Sequence, residues 1–362
     1  MQHGSGETIE AFILALPETA GSALYGMVDV LAATGTLWRE LSGEELGRRL
    51  IEPRIVSSTR EPFRCGNAIP VSPDLAIDDA PTPEILILPE LWLAPTDDMR
   101  DRYDDLKQWI RECYERGCII YTACSGSVLL AATGLLDGAS ATSHWGYQDL
   151  YARRFPEVRF DPEPNLVVAD AAGRIVTAGG TTSWHDLALH IIARHCSPGE
   201  AMRIAKVYLL KWHAEGQLPY QNLVRRQAHA DSVVRFAESW LAQHFRSEAA
   251  VAEAVLASGI PERSFKRRFK AATGATLMGY VQNLRIEEAK RQLETIQGPA
   301  DEIAADIGYD NPAFFRRLFK RCTGLTPGAY RRMFHPVTDG SVTAVGGSTD
   351  RSREAMAGEA VA

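Results

Sequence analysis

The strongest constraint on this chain is a stretch that occurs twice. Phe265-Lys-Arg-Arg-Phe269-Lys270-Ala-Ala-Thr273-Gly274, followed by Tyr280, recurs fifty residues later as Phe315-Arg-Arg-Leu-Phe319-Lys320-Arg-Cys-Thr323-Gly324, followed by Tyr330. An internal repeat of this length means two copies of one supersecondary unit. Two aromatics four apart bury together on one face of a helix, and the bases between them stay outward. Each copy follows a helix and a break. Ala249 to Ala257 reads as helix, broken at Ser258-Gly259 before Pro261. Ala300 to Ile307 reads as helix, broken at Gly308-Tyr309-Asp310 before Asn311-Pro312, an N-cap followed by a first-turn proline. Two short helices around a glycine turn, the second helix basic, form a helix-turn-helix pattern. Leu277 to Leu293 between the copies, apolar at Leu277, Val281, Leu284, Ala289 and Leu293, is a spacer helix. It spans roughly 25 Å, enough to hold two recognition helices near one DNA turn apart, about 34 Å. A helical bundle with a solvated basic face is the competing reading; two copies at a fixed offset favour DNA.

The net charge of −7 looks wrong for a DNA-binding chain until the chain is divided. Residues 231–335 carry 16 Lys and Arg against 12 Asp and Glu, whereas residues 1–230 carry 21 against 30. Positive charge therefore sits where phosphate is expected. The chain has 362 residues, which suits two domains. No apolar run approaches the length of a transmembrane helix, and the start lacks the segments of a signal peptide. A soluble cytoplasmic protein is expected. The six cysteines (65, 113, 118, 124, 196, 322) are irregularly spaced, so neither a disulfide framework nor a metal site is predicted, and no cofactor.

The first half alternates strand and helix. Strands are expected at 9–16, 51–57, 84–89 and 118–121, with 165–168 and 175–178 as a hairpin. Helices are expected at 22–33, 97–116, 127–132, 183–195 and from Pro198 to about Leu210. This order implies a mainly parallel sheet flanked by helices. Residues 209–230 mix aromatics, Gly and Pro, as in a linker that partly packs on a domain. The end of the chain is Gly-, Ser- and Ala-rich without periodicity, and a disordered tail is expected over 335–362.

Cys124 lies where a buried strand turns sharply into a helix, followed by the small residues Ser125, Gly126 and Ser127. A thiol near a helix N-terminus is favoured as thiolate, and acyl-transfer enzymes place nucleophiles this way. His144 follows in Thr142-Ser-His144-Trp145 as a base candidate. His185 and His190 are five apart and do not share a helix face as ligands would. For them, and for His213 and His229 in the connector, packing or surface roles are the default. Trp145 and Trp184 would suit a cationic or flat ligand if they reach a pocket.

Residues 231–334 resemble the AraC/XylS-type DNA-binding domain, two helix-turn-helix units joined by a long helix, down to the closing Gly324-Leu-Thr-Pro-Gly-Ala-Tyr330-Arg-Arg. The first half resembles the DJ-1/PfpI superfamily, with its class I glutamine amidotransferase-like, flavodoxin-like α/β fold. The run Gly134-Leu-Leu-Asp-Gly138, Ala141-Thr-Ser-His144-Trp145, Gly179-Gly180-Thr-Thr-Ser-Trp184 and Trp212-His213…Gly216-Gln217-Leu-Pro-Tyr220 looks most like the GlxA-type regulators, which join both domains. The resemblance covers roughly residues 8–334. It implies a ligand-sensing domain at 8–196, a helical connector at 197–230 and a DNA-binding domain at 231–334.

The implied function is a transcription regulator, an activator acting as a homodimer on promoter DNA and RNA polymerase. Its effector would be a small nitrogenous metabolite such as an amino acid or quaternary amine. Arg263, Lys266 and Arg267 take the base-contacting positions of the first recognition helix, with Arg268, Lys270 and Ser264 toward phosphate. In the second, Pro312 and Ala313 cannot hydrogen-bond through their side chains, so Arg316 and Arg317 carry that half, with Lys320 beside them. The expected pocket is Cys124, Ser125, His144, Trp145, Gly180 and Trp184. DJ-1-like proteins carry an acidic residue in the first strand-to-helix region that touches the thiol. Its equivalent here is Ala23, with Glu18 nearby but out of register, so no carboxylate is expected at the thiol. A pocket inherited from an enzyme is therefore preferred to catalysis by Cys124 and His144. The alternatives are a cysteine hydrolase, amidase or glyoxalase-like enzyme, and a thiol redox sensor. A last difference lies in the helix before each turn glycine, where the second unit has Ala304 and the first has Val255. Either that packing is altered, or the helix is shifted by one residue.

Overall fold

A computed structural model describes residues 8–224 and 229–339, and the chain divides into two compact units between Gln221 and Asn222. The division falls inside the expected connector.

The first unit opens with β1 (Ile9–Leu14), α1 (Gly21–Ala32), α2 (Leu37–Ser42), β2 (Ile51–Ser57), a short hairpin of β3 (Phe63–Cys65) and β4 (Ile69–Val71), then β5 (Leu75–Ala76) and β6 (Ile85–Leu88). It continues through α3 (Asp104–Glu115), β7 (Ile119–Ala123), α4 (Gly126–Ala132), β8 (Ser140–Ala141), α5 (Gln148–Arg154) and β9 (Arg159–Phe160). It closes with β10 (Leu166–Val168), β11 (Ile175–Ala178), α6 (Trp184–His195) and α7 (Pro198–Tyr208). The seven-stranded sheet runs β10-β11-β7-β6-β1-β2-β5, parallel except for the β10–β11 pair, which forms the expected hairpin. Along β1, Phe12 and Leu14 enter one buried cluster while Ile9, Ala11 and Ile13 enter the other. Both sheet faces are therefore covered by helices, which is why the strands read as continuous apolar runs rather than alternating ones.

Two expectations change here. The helix anticipated from Asp97 begins at Asp104, because Met99 and Tyr103 both take φ of 59° and interrupt any earlier helical turn. Arg102 in that loop is tied to Glu18 at 2.6 Å and to Asp97. At the other end of the chain the final helix continues to Asp339, several residues into the expected tail; the rest of that tail lies outside the described residues.

The second unit is helical: α8 (Ser232–His244), α9 (Ala250–Ala257), α10 (Glu262–Thr273), α11 (Leu277–Thr295), α12 (Ala300–Asp306), α13 (Pro312–Thr323) and α14 (Pro327–Asp339). It has two small cores strung on one helix. Leu277, Tyr280 and Val281 of α11 pack with Phe265 and Phe269, and Ile286, Ala289 and Leu293 pack with Phe315, Phe319 and Tyr330. The repeat extends to the ring geometry, with Phe269–Tyr280 at 5.2 Å and 82° and Phe319–Tyr330 at 5.4 Å and 86°. Of the two buried alanines of α9, Ala250 and Ala254, the second lies one position before Val255, so the first unit matches Ala304 of the second after a one-residue shift. No helix among the described residues is long and apolar enough to cross a membrane.

Candidate functional site

Sites in open parallel sheets form where strands end at their carboxyl edge. Three adjacent strands end together here: β6 leads to Glu90, β7 to Cys124 and β11 to Gly179 and Gly180. Cys124 sits at φ of 51°, a left-handed conformation that a side chain adopts only when its surroundings enforce it. Ser127 Oγ and Ser143 Oγ both donate to the Cys124 carbonyl, at 2.8 and 2.7 Å. A Cβ on Gly126 would lie 2.2 Å from the Leu88 carbonyl oxygen, so only glycine lets α4 start against the end of β6. Ser125, fully buried, accepts from Leu91 N at 2.8 Å and donates to Leu91 O. That clamps the loop carrying Glu90 beside the thiol.

The expectation of no carboxylate at the thiol is wrong. Cys124 Sγ donates to Glu90 Oε1 at 3.7 Å, and Thr181 Oγ1 donates to the same oxygen at 3.0 Å. The acid comes from the loop after β6, not from the turn after β1 that the family register singled out. Glu90 is itself buried, and burial raises its pKa above the ordinary carboxylate value. Burial, reinforced by Glu90, pushes the Cys124 thiol up to about 12. The thiolate expected from the helix N-terminus is therefore not the ground state: desolvation outweighs the helix dipole. His144 makes no hydrogen bond to the thiol among the described residues. Its Nδ1 accepts from Gly146 N at 3.0 Å, its ring lies 4.9 Å from that of Trp145, and burial lowers its pKa. In the native chain at pH 8, iodoacetamide is expected to leave Cys124 unmodified for hours and to label it at once after denaturation, as read by peptide mass spectrometry. Rapid native labelling that titrates near neutral pH would contradict this environment.

Above this layer lies a cavity of ≈ 190 Å³. His144, Trp145 and Gly180 of the expected set line it; Cys124 and Ser125 do not, and they lie buried behind Thr181 and Glu90. Trp184 faces a separate cavity with Gly26, Asp29 and Tyr208, where it packs so close to Gly26 that a Cβ there would meet its ring at 2.4 Å. Sequence reasoning missed the strap from His213 to Tyr220, which closes one side of the cavity. Asp186, with no exposed surface, holds it: its carboxylate accepts from His213 N at 2.9 Å, His213 Nδ1 at 2.8 Å and Asn165 Nδ2 at 2.6 Å. A carboxylate there can only accept, so Nδ1 of His213 carries the proton. Gln217 is the second anchor. Its Nε2 donates to Ser143 O at 2.9 Å and to Thr142 Oγ1 and Pro164 O at 3.2 Å, and its Oε1 accepts from Trp145 N at 3.3 Å. The motif Trp212-His213…Gly216-Gln217 was visible, but nothing local pointed it at Asp186. Among the described residues, no Lys or Arg lines this cavity.

In the second unit, α10 and α13 bury Phe265, Phe269, Phe315 and Phe319 and turn their basic residues outward. Arg263, Lys266, Arg267, Arg268, Lys270, Arg316, Arg317 and Lys320 are exposed, and Ser264 is half-buried. They are not equally available. Arg268 takes the position where the second copy buries Leu318. Its guanidinium instead makes two bonds, 2.9 and 2.8 Å, to Asp231, the N-cap of α8. Lys266 pairs with Glu262, and Arg316 with both carboxylate oxygens of Asp301 at 2.5 Å. Arg263, Arg267, Lys270, Arg317 and Lys320 have no ion pair among the described residues. Asn311 caps α13 by accepting from Phe314 N at 3.0 Å, as its place before Pro312 predicts.

A model of the DJ-1/PfpI family matches residues 34–194, and a helix-turn-helix domain model matches residues 255–333. The chain is 30% identical over 230 residues to the HTH-type transcriptional regulator GlxA of Rhizobium meliloti, covering 62% of this chain and 68% of that protein. It is 24% identical over 275 residues to the HTH-type transcriptional regulator CdhR of Pseudomonas aeruginosa, covering 75% and 79%. A shorter match, 29% over 140 residues, joins it to isonitrile hydratase of Pseudomonas putida, covering 38% and 57%.

Proposed function

This chain belongs to the DNA-binding transcriptional regulators that join a DJ-1/PfpI domain to an AraC-type helix-turn-helix domain, and we propose that it is a metabolite-controlled activator rather than an enzyme. The effector occupies the cavity beneath the His213–Tyr220 strap. The active form is a homodimer that places RNA polymerase at the promoter. The observation that carries this reading is the cavity itself. Aromatic rings of His144, Trp145 and Tyr220 line it, Asp186 lies behind His213, and among the described residues no Lys or Arg faces in. Such a lining suits a small nitrogenous cation, which aromatic faces attract by about 0.5–2 kcal/mol per ring.

The cysteine-enzyme reading lacks support, because burial pushes the Cys124 thiol up to about 12 and no histidine hydrogen-bonds it among the described residues. A thermal-shift screen of amines, amino acids and quaternary ammonium compounds on the full chain tests the proposal. A cationic hit raises the first domain's melting transition by mass action. A shift with anionic or neutral metabolites alone defeats it.

DNA contacts are tested separately. Arg267→Ala and Arg317→Ala are each expected to weaken binding to a selected operator about 10- to 100-fold and to relax base preference under their own helix. Unchanged footprints with both variants would remove these residues from the interface.

A further inference from the structure

The two recognition helices match closely except in their first turn. Aligned at the fifty-residue offset, Glu262, Arg263 and Ser264 of α10 stand where α13 has Pro312, Ala313 and Phe314. The first set hydrogen-bonds through its side chains; the second does not. Ala313 is exposed, and Phe314 keeps 40% of its surface in solvent, although its neighbour Phe315 is fully buried. The Phe314 ring lies 5.8 Å from that of Tyr309, in the turn. The cation one turn further along, Arg316, is held by Asp301 of α12.

A helix-turn-helix meets base edges with the N-terminal residues of its second helix. In the major groove the one apolar group on a base edge is the 5-methyl of thymine. We infer that Ala313 and Phe314 read thymine methyl groups, so that the half-site under α13 is specified by T·A pairs and Arg317, while the half-site under α10 is specified by guanine through Arg263 and Arg267. An exposed phenylalanine on a helix that otherwise presents charge is thereby accounted for. So is the loss of hydrogen-bonding side chains in one copy of a duplicated motif. The inference rests on the reading that both helices enter the major groove.

The test uses the full chain. Operators are selected from a random duplex library, and the α13 half-site is identified as the one whose base preference relaxes in Arg317→Ala. Each half-site is then resynthesised with deoxyuridine in place of thymidine, which removes the methyl and nothing else. In the α13 half-site the expected loss is about fourfold in Kd per contacted methyl, the equivalent of about 0.8 kcal/mol. In the α10 half-site the change stays within about twofold. Phe314→Ala should discriminate less between the two versions of its half-site, keeping only the share that Ala313 contributes. Deoxyuridine that is neutral under α13, or equally harmful in both halves, overturns the inference while leaving DNA binding intact. A chain that selects no sequence overturns the groove reading beneath it. The wild-type comparison needs no variant to fold.

Discussion

An Arg285→Met chain is expected to keep a folded N-terminal domain, to lose about 3 kcal/mol or more of stability in its C-terminal unit, and to stop binding its operator. Arg285 lies in the middle of α11 with 9% of its surface exposed. Its Nε donates to Phe245 O at 2.7 Å and Nη2 to Ser247 O at 2.9 Å, both in the turn after α8. Its Nη1 donates to Gly308 O at 2.8 Å, in the turn of the second unit, and its guanidinium lies 5.0 Å from the Tyr309 ring. One side chain thus ties the α8–α9 connection to the turn of the second helix-turn-helix. The two cores share α11 but little else, so this fork braces the first core against the second helix-turn-helix. Methionine keeps the aliphatic volume and removes all three bonds, leaving three carbonyls without a charged donor. Lysine should rescue poorly, because a point charge cannot reproduce a planar fork. Calorimetry of the full chain should show the second unit melting early, and operator affinity should fall at least 100-fold because neither half-site alone holds the protein. An unchanged melting profile and Kd would show that α11 packing alone holds the two cores together.

The duplicated helices were legible because their signal is local: aromatics four apart, a capped proline, a glycine after the last turn. The observed C-caps, Gly274 and Gly324 at φ of 73° and 74°, sit where the repeat puts them. Arg285 was not legible, since nothing nearby in sequence marks three carbonyls 23 to 40 residues away. The β3–β4 hairpin escaped for a simpler reason: three-residue strands carry no period. Glu90 was not legible because the family resemblance places the acid in the β1 register. Strand order held the answer, since β6 and β7 are neighbours and their carboxyl ends emerge side by side. His213 was assigned to a connector because its partner, Asp186, looks in sequence like an ordinary first-turn acid of α6. Burial alone reveals it as an anchor.

Gln217→Ala is expected to abolish the effector response while sparing DNA binding. The side chain is 3% exposed and uses its whole amide, three acceptors for Nε2 and one donor for Oε1. It also fills the space that Gly179 leaves, since a Cβ on Gly179 would lie 2.4 Å from the Gln217 amide. Alanine leaves the Trp145 N–H and the Ser143 carbonyl unmet and opens a void, a local cost of about 2–4 kcal/mol. That exceeds what holds a short surface segment closed, so the strap should detach at this end and the cavity lose its wall. Hydrogen exchange reports this without any ligand: the Gln217 N–H, bonded to Glu163 O at 2.8 Å, should lose protection while the β7 and β11 amides keep theirs. With a ligand in hand, its thermal shift should fall to near zero in the variant. Gln221, bonded to Pro162 O, ends the strap's anchorage in the first unit. Leu223, only two residues on, is bonded to Glu287 and Asn283 of α11 in the second. A wall of the cavity and an attachment to the spacer helix are therefore one continuous piece of chain. A Gln217→Ala protein that still changes its operator affinity on adding effector would mean that the signal leaves the first domain by another route.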